Sequence, residues 1–374
     1  MYLPMEGACM NENVYVLLLA GGGGTRLWPK STEALPKQFL KLYKDKTLLR
    51  LTAERIQKLV EWDHIFVITN TTQLADVVRE LPELDLTHII TEPMKRDTAM
   101  AMAVGALVIQ QHNPNAVIMN FASDHVVEDE DEFLRVMHHV AETAEKTNEL
   151  ISVGIHPTFP HTGYGYIQRG QQQSKEQGKE VFEVKRFKEK PDKETAEHML
   201  ETGEYYWNAN MYTWSATSIM HAFQKHSPEI YTILQKLTSH FGQENWQKAL
   251  EEAYEQVPSK SIDYAISEKV EKMLLIAGDF GWNDVGDWNV VYQLGDKNAE
   301  GNVVFKENDA GGLIVQDANN NLVHIHDKLI AAVGIKDLVI IDTKDVLLVM
   351  PRALSQDVKK IVTALKEQNK KEYL

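Results

Sequence analysis

The sequence predicts an α/β protein: a doubly wound, mostly parallel, Rossmann-like sheet followed by a small C-terminal β domain. Three observations predict it. Short apolar runs alternate with longer amphipathic segments from residue 14 to residue 121, the rhythm of βαβ units. The first run ends in four consecutive glycines, Gly21 to Gly24, at the place where open α/β sheets bind ligands, beyond the carboxyl ends of the strands. From Gly301 the rhythm gives way to evenly spaced apolar bursts separated by Asn, Asp and Gly, the pattern of a small β solenoid or sandwich.

In order, strands are expected over 14–19, 65–69, 88–91 and 116–121, with helices over 48–60, 73–79 and 98–110 between them. The middle section reads as mixed α and β, with strands over 151–155, 165–169 and 180–187 and a helix from Lys193. The Gln/Lys/Glu-rich stretch 170–179 reads as a solvated hairpin loop, and 221–272 as helical, punctuated by Pro228 and Pro258. Bursts at 303–305, 313–315, 322–325, 330–333, 338–341 and 346–349 supply the C-terminal strands, with a helix over 357–368 to cap them. The expected organisation is a tail over 1–13, a large domain over 14–295 and a small one over 296–374. Packing and oligomer contacts, rather than ligand binding, are the expected role of the small domain.

Composition narrows the class. With 374 residues, 43% hydrophobic and 25% charged, the chain is an ordinary globular one. The apolar run over 14–20 is too short to span a bilayer, and nothing basic precedes it, so no secretory leader is expected. One cysteine, Cys9, excludes an internal disulfide framework and suits a cytoplasmic location; in the tail it is assigned no role. A net charge of −15 argues against nucleic-acid or anionic-membrane partners. Locally the balance reverses: from Arg26 to Arg50 there are seven Lys/Arg against Glu33 and Asp45. The acids collect elsewhere, at 128–132 and at Glu251-Glu252, as solvated helix faces.

The glycine loop calls for a polyphosphate. Without Cβ atoms, the backbone N–H groups of Gly21, Gly22, Gly23 and Gly24 can approach and point at phosphate oxygens. Thr25, Arg26 and, further on, Lys37 add a hydroxyl, a fork-shaped cation and a point charge. A P-loop would need Gly before Lys-Ser, whereas Pro29 precedes Lys30-Ser31. A dinucleotide-binding turn would need a third glycine and an opening helix; Arg26 and Pro29 stand there instead. A tight turn without ligand is the remaining alternative.

The run Ala20-Gly-Gly-Gly-Gly-Thr-Arg-Leu-Trp-Pro29, followed by Pro36-Lys-Gln-Phe-Leu40, resembles the opening motif of the mannose-1-phosphate guanylyltransferases, members of the sugar-nucleotidyltransferase family. Further motifs resembling that family follow in order to about residue 290, so the resemblance covers nearly the whole chain. It implies a nucleotidyltransferase sheet with a short left-handed C-terminal β-helix. It also implies guanylyl transfer from GTP to α-D-mannose 1-phosphate, giving GDP-mannose and pyrophosphate. In that reaction a sugar-phosphate oxygen attacks the α-phosphorus in line. The oxygen is already anionic near neutral pH, so cations and a metal matter more than a general base.

On the residues, Arg26 is expected on the triphosphate and Lys37 on the transferred phosphoryl group. Asp124, in Ser123-Asp-His125, and Asp284, in Gly281-Trp-Asn-Asp-Val-Gly-Asp-Trp288, would hold Mg²⁺, which prefers oxygen ligands and keeps several waters. Either aspartate could instead cap a turn, and Asp287 competes with Asp284. His125 is expected to hydrogen-bond rather than ligate. Ala20, the four glycines, Thr25, Arg26, Glu92, Thr98, Ser123 and Asp124 make up the expected nucleotide site. Glu92, in Glu92-Pro-Met-Lys-Arg-Asp-Thr98, can accept from the adjacent N1–H and 2-amino donors of guanine; a strand-end surface acid is the plainer alternative. Tyr164, Gly165, Glu189, Lys190, Asn208 and Asp263 are expected around the sugar phosphate, with Lys190 on the phosphate and Glu189 and Asn208 on sugar hydroxyls.

The chain departs from the family pattern at Lys30, Thr32, Asp97, Met100 and Asn210. Asn210 replaces a glycine and is expected at positive φ, which asparagine tolerates. The alternatives are another base or sugar on the same chemistry, a non-catalytic nucleotide-sugar sensor, and a dehydrogenase. The sensor is disfavoured by the retained cations and acids, the dehydrogenase by Arg26 and Pro29. A chain of this length leaves no room for an appended isomerase domain, so a single activity is expected. A homodimer is expected from the resemblance alone.

Overall fold

The computed structural model describes residues 10–176 and 179–374; Cys9 and most of the expected tail lie outside them. The chain forms two compact units, each assembled from discontinuous segments. The first comprises residues up to Gly21, Ala53–Ser123 and Val127–Trp282; the second comprises Gly22–Thr52, Asp124–Val126 and Asn283–Leu374.

In the first unit, β1 (Val14–Ala20), β2 (Ile65–Asn70), β3 (Ile89–Glu92) and β4 (Val117–Ala122) form a parallel block in the order β3-β2-β1-β4. The short β5 (Val126–Val127) follows β4. Beyond the block lie β6 (Leu150–Ile155), β7 (Gly165–Glu176), β8 (Lys179–Glu189), β9 (Tyr205–Ser215) and β10 (Met273–Gly278), which complete a nine-stranded sheet in the order β3-β2-β1-β4-β9-β6-β10-β8-β7. Of these, β10 joins β6 in parallel, whereas β9 runs antiparallel to β4 and β6.

The helix Asp97–His112 covers one face. It is apolar all round and buried from Ala99 to Ile109, as expected of a helix enclosed on every side. At Gly105 a Cβ would come within 2.2 Å of the Leu17 side chain. That glycine sets how closely the helix lies on β1.

Three expectations need correction. The stretch expected as a hairpin loop over 170–179 is strand over its described residues: β7 and β8 continue as a paired ribbon as far as Glu176↔Lys179, and residues 177–178 lie outside the described ones. The side chains of Gln171, Gln172 and Gln173 are all exposed, so both faces of the ribbon are polar there, which composition alone cannot separate from a loop. The helical region is broken into Ala216–His226, Pro228–Thr238, Trp246–Gln256 and the π-helical turn Asp263–Ser267, with β10 at its end. Strand β9 was not foreseen at all, although its sequence, YYWNANMYTWS, has the aromatic content of a buried strand.

In the second unit, after β11 (Trp282–Asn283), the C-terminal strands are β12 (Val303–Lys306), β13 (Gly312–Gln316), β14 (Leu322–Ile325), β15 (Leu329–Val333), β16 (Leu338–Asp342) and β17 (Leu347–Pro351). Parallel pairing of β12, β14 and β16 on one side and of β13 and β15 on the other gives the alternating rungs of a solenoid. Asn302 and Asn321 stack between rungs. The Oδ1 of Asn302 accepts from Asn321 N at 2.9 Å, and the Oδ1 of Asn321 accepts from Leu338 N at 2.9 Å.

The helix Val358–Glu367 then packs Val358 and Val362 into the same core as Leu27, Trp28, Leu40, Leu42 and Leu48. The solenoid therefore shares one hydrophobic core with the segment that carries Arg26 and Lys37.

Candidate active site

Of the residues expected on phosphate or metal, Gly22 to Arg26, Lys37, Asp124 and Asp284 belong to the second unit, whereas Gly21 and Lys190 belong to the first. Gly24 closes the glycine loop at φ +119°, and a Cβ there would lie 2.6 Å from Lys37 Cβ and 2.8 Å from Ser31 Oγ. The loop thus needs glycine twice over, for its backbone and for its space. A Cβ on Gly22 would lie 3.7 Å from Asp124 Oδ2, and one on Gly23 would meet nothing within 4 Å. The loop is open above Gly23 and borders a carboxylate at Gly22.

Lys37 is the centre of this group. Its side chain is buried, and its Nζ lies 2.9 Å from Asp124 Oδ2 and donates to the backbone carbonyl of Asp284. Burial alone would raise the Asp124 pKa, but Lys37 and, more distantly, His125 outweigh it and hold the carboxyl below its usual value. His125 Nε2 lies 3.7 Å from Asp124 Oδ1.

The competitor Asp287 is spent on structure. Its Oδ1 accepts from Asn289 N, Val290 N and Ser355 Oγ at 2.7, 3.2 and 2.9 Å, which caps the helix Trp288–Leu294. Between the two aspartates, Val285 is fully buried at φ +48°, a region that β-branched residues avoid. Sequence reading gave no sign of it. The departure at Lys30 has a local cause: its ammonium pairs with the Glu307 carboxylate, which also lies 2.5 Å from His326 Nδ1.

The first unit holds two polar clusters. At the carboxyl end of β3, Glu92 is 7% exposed, and its Oε1 accepts from Tyr254 Oη at 2.9 Å. Burial pushes the Glu92 carboxyl up to about 7, against the hydrogen bond from Tyr254. A Cβ on Gly21 would lie 3.2 Å from Glu92 Oε2. Thr98 accepts from Ile262 N at 2.9 Å, and Ser123 Oγ donates to Leu19 O at 2.9 Å. Both hydroxyls fasten backbone. Asp97 sits at φ +65°, where an aspartate can stand in for asparagine.

In the second cluster, Asp263 Oδ1 accepts from Tyr212 Oη at 2.6 Å and from Asn208 Nδ2 at 3.2 Å. Burial and the nearby Glu189 push Asp263 up to about 6. The Asn208 Oδ1 also accepts from Ser152 Oγ and Asn210 N, each at 3.1 Å, so its amide is committed to holding this cluster. Asn210 does sit at φ +58°.

Lys190 Nζ lies 2.6 Å from Glu189 Oε1. Burial lowers the Lys190 pKa, but the contact with Glu189 outweighs it and holds the ammonium above its usual value. At Gly165 a Cβ would come 2.6 Å from Glu189 Oε2, so glycine is what admits that carboxylate. Tyr164 stacks on His161 at 3.8 Å and meets Trp207 and Trp282 edge-on. Tyr212 and Tyr254, which orient the two buried acids, were missed by sequence reading. Tyr212 falls on the unforeseen β9, and Tyr254 on a helix more than 150 positions from its partner.

Comparison with known proteins agrees with these motifs. A nucleotidyl transferase family model matches residues 15–301, and a mannose-phosphate isomerase/GMP-like β-helix model matches residues 311–365. A mannose-1-phosphate guanylyltransferase of Escherichia coli is 38% identical over 97% of this chain and 75% of its own length. The chain belongs to the mannose-1-phosphate guanylyltransferase family. A homologous enzyme of that name from Salmonella typhimurium is 36% identical over 96% of this chain and 73% of its own. A crystal structure from Thermus thermophilus, described as a mannose-1-phosphate geranyltransferase, superposes with a TM-score of 0.83 at 30% identity, covering 95% of this chain and 99% of that one. The protein is accordingly a nucleotidyltransferase. Among the described residues no helix is long and apolar enough to cross a membrane.

Proposed function

We propose that this guanylyltransferase-family chain makes GDP-mannose and pyrophosphate from GTP and α-D-mannose 1-phosphate. One observation carries the reading: beside the glycine loop, Lys37 spans the Asp124 carboxylate and the Asp284 main chain. The amides of Gly21 to Gly24 and the Arg26 guanidinium bind the β- and γ-phosphates and orient the triphosphate. Lys37, already sheltered from water, meets the charge that develops on the α-phosphoryl group, where a preorganised cation is worth most. Glu92 accepts from guanine N1–H and the 2-amino group. Lys190 takes the phosphate of the sugar, Glu189 and Asp263 its hydroxyls.

Among the described residues no three His, Cys, Asp or Glu side chains gather as a metal cage. The carboxylates of Asp124 and Asp284 are hard oxygen donors of the kind Mg²⁺ prefers, and would hold it with phosphate oxygens and water completing the shell; Lys37 meets Asp124 through its carboxylate and Asp284 through its main-chain carbonyl. When bound, Mg²⁺ supplies neutralisation of the phosphate charge. We further read residues 14–295 as the catalytic domain and the protein as a cytoplasmic homodimer, with neither nucleic acid nor membrane as partner.

The test is pyrophosphate release from GTP, ATP, UTP and dTTP with several hexose 1-phosphates. GTP with mannose 1-phosphate should dominate, and Lys37→Met should lower its kcat by about a hundredfold or more. No release from that pair by the wild-type protein would end the proposal.

A further inference from the structure

Asn70 ends β2 in register with Glu92 at the end of β3. It is 8% exposed, and its Nδ2 is buried with no hydrogen-bond partner among the described residues. Such an orphaned donor costs on the order of 1–3 kcal/mol unless something completes it. The neighbourhood shows where the completing group would come from. A Cβ on Gly21 would lie 3.2 Å from Glu92 Oε2 and 3.7 Å from Asn70 Nδ2, so both polar side chains border the same point beside the glycine loop, which glycine leaves unfilled. The backbones on either side are pinned, since Thr69 Oγ1 donates to Ala20 O at 2.9 Å and Thr71 Oγ1 to Glu92 O at 3.1 Å. The main chain on both sides of Asn70 is thus held, yet none of the described residues uses its amide N–H.

We infer that Asn70 is a second base-reading residue, whose Nδ2–H donates to the O6 acceptor of guanine while Glu92 accepts from the N1–H and 2-amino groups. This rests on the guanylyl-transfer reading above and adds a specificity determinant to it. The geometry suits the ligand. Residues in register on neighbouring strands are spaced about 4.8 Å apart, and O6, N1–H and the 2-amino group lie in a row along one edge of guanine. An acceptor from Glu92 beside a donor from Asn70 complements that row. Adenine presents a 6-amino donor where guanine has O6, so it would face donor with donor and leave the amide unpaired. A site built to pair with a polar group discriminates strongly against a ligand that lacks it.

The experiment measures GTP, ITP and ATP affinities of the full chain by titration calorimetry, which needs no turnover, alongside kcat/KM with mannose 1-phosphate. ITP keeps O6 and N1–H but lacks the 2-amino group. Asn70→Ala should weaken GTP and ITP by a similar factor, about tenfold or more. Glu92→Gln should weaken GTP more than ITP. Asn70→Asp, of the same shape but with an acceptor in place of the donor, should shift the ATP/GTP affinity ratio toward ATP by about tenfold or more; it carries the test if the alanine variant melts early. Asn70 variants that fold and keep the wild-type GTP/ATP ratio within about twofold would overturn the inference. A wild-type protein that binds GTP preferentially but releases no pyrophosphate would count against the guanylyl-transfer reading and leave the binding comparison decisive for Asn70. A wild type with no preference for GTP over ATP would overturn both.

Discussion

At the scale of single residues, two buried acids carry a pH signature. Glu92 titrates at about 7 in the fold against an ordinary 4.5. A carboxyl raised in this way binds its proton more tightly folded than unfolded. Its contribution to stability is therefore complete below the unfolded value and is lost as pH rises toward the folded one. The whole span is worth about 3 kcal/mol as an upper figure. Comparing wild type with Glu92→Gln cancels Asp263, which shifts the same way. The stability of the wild type relative to the variant, from urea unfolding, should fall between pH 4.5 and 7 and level off above. A flat or rising difference would remove the buried-carboxyl account. Function should run the other way, because guanine's paired donors need an ionised acceptor. The GTP kcat/KM of the wild type should climb through about pH 7, and that limb should be missing in Glu92→Gln.

At the scale of elements, β1 ends at Ala20 where the sequence turns to glycine. Gly24 is the position at which the need for glycine can be tested. A side chain there faces both a left-handed φ and two atoms inside 3 Å, one of them on Lys37. Gly24→Ala should cost about 2 kcal/mol of stability and lower kcat by about a hundredfold through displacement of Lys37. Gly23→Ala, with open space around its Cβ, should melt like wild type, so differential scanning calorimetry of the pair separates the demand at Gly24 from the general effect of a methyl group in the loop.

The loop was legible because glycines, cations and strand ends sit side by side in the sequence, and Asn210 because its conformational demand shows in a single residue. The support of the two buried acids was not legible. Asn208, Tyr212 and Asp263 meet across 51 to 55 positions, and Tyr254 reaches Glu92 across 162. No local pattern signals pairings of that separation, and the strand that delivers two of these side chains, β9, reads as aromatic residues without the clean alternation that marks a half-exposed strand. Aspartates of one motif, Asp284 and Asp287, were likewise separable only once the helix cap at Asp287 was visible.

At the scale of the whole molecule, the division into units shows what the C-terminal solenoid contributes. The loop segment Gly22–Thr52 is too short to build a core of its own; Leu27, Trp28, Leu40, Leu42 and Leu48 find their core with Trp288, Val303, Leu322, Val339, Ile341, Val358 and Val362. The end of the chain is fastened to the same place, since Trp28 Nε1 donates to Tyr373 O at 2.6 Å and Trp288 Nε1 to Trp28 O at 3.0 Å. The Glu92–Tyr254 pair belongs to a separate core in the first unit, built around the helix Asp97–His112. Removing residues 352–374 should therefore act selectively. It strips Val358, Val362 and the Tyr373 carbonyl from beneath Trp28 and exposes apolar surface worth several kcal/mol, which loosens the frame that sets Lys37. The expected result is a fall in kcat of about a hundredfold, with any GTP-over-ATP preference unchanged because the proposed base-reading residues lie in the other unit. The milder Val362→Ala should show the same selectivity with a smaller fall. A truncated protein with wild-type kcat would mean that the solenoid only packs, as its sequence first suggests.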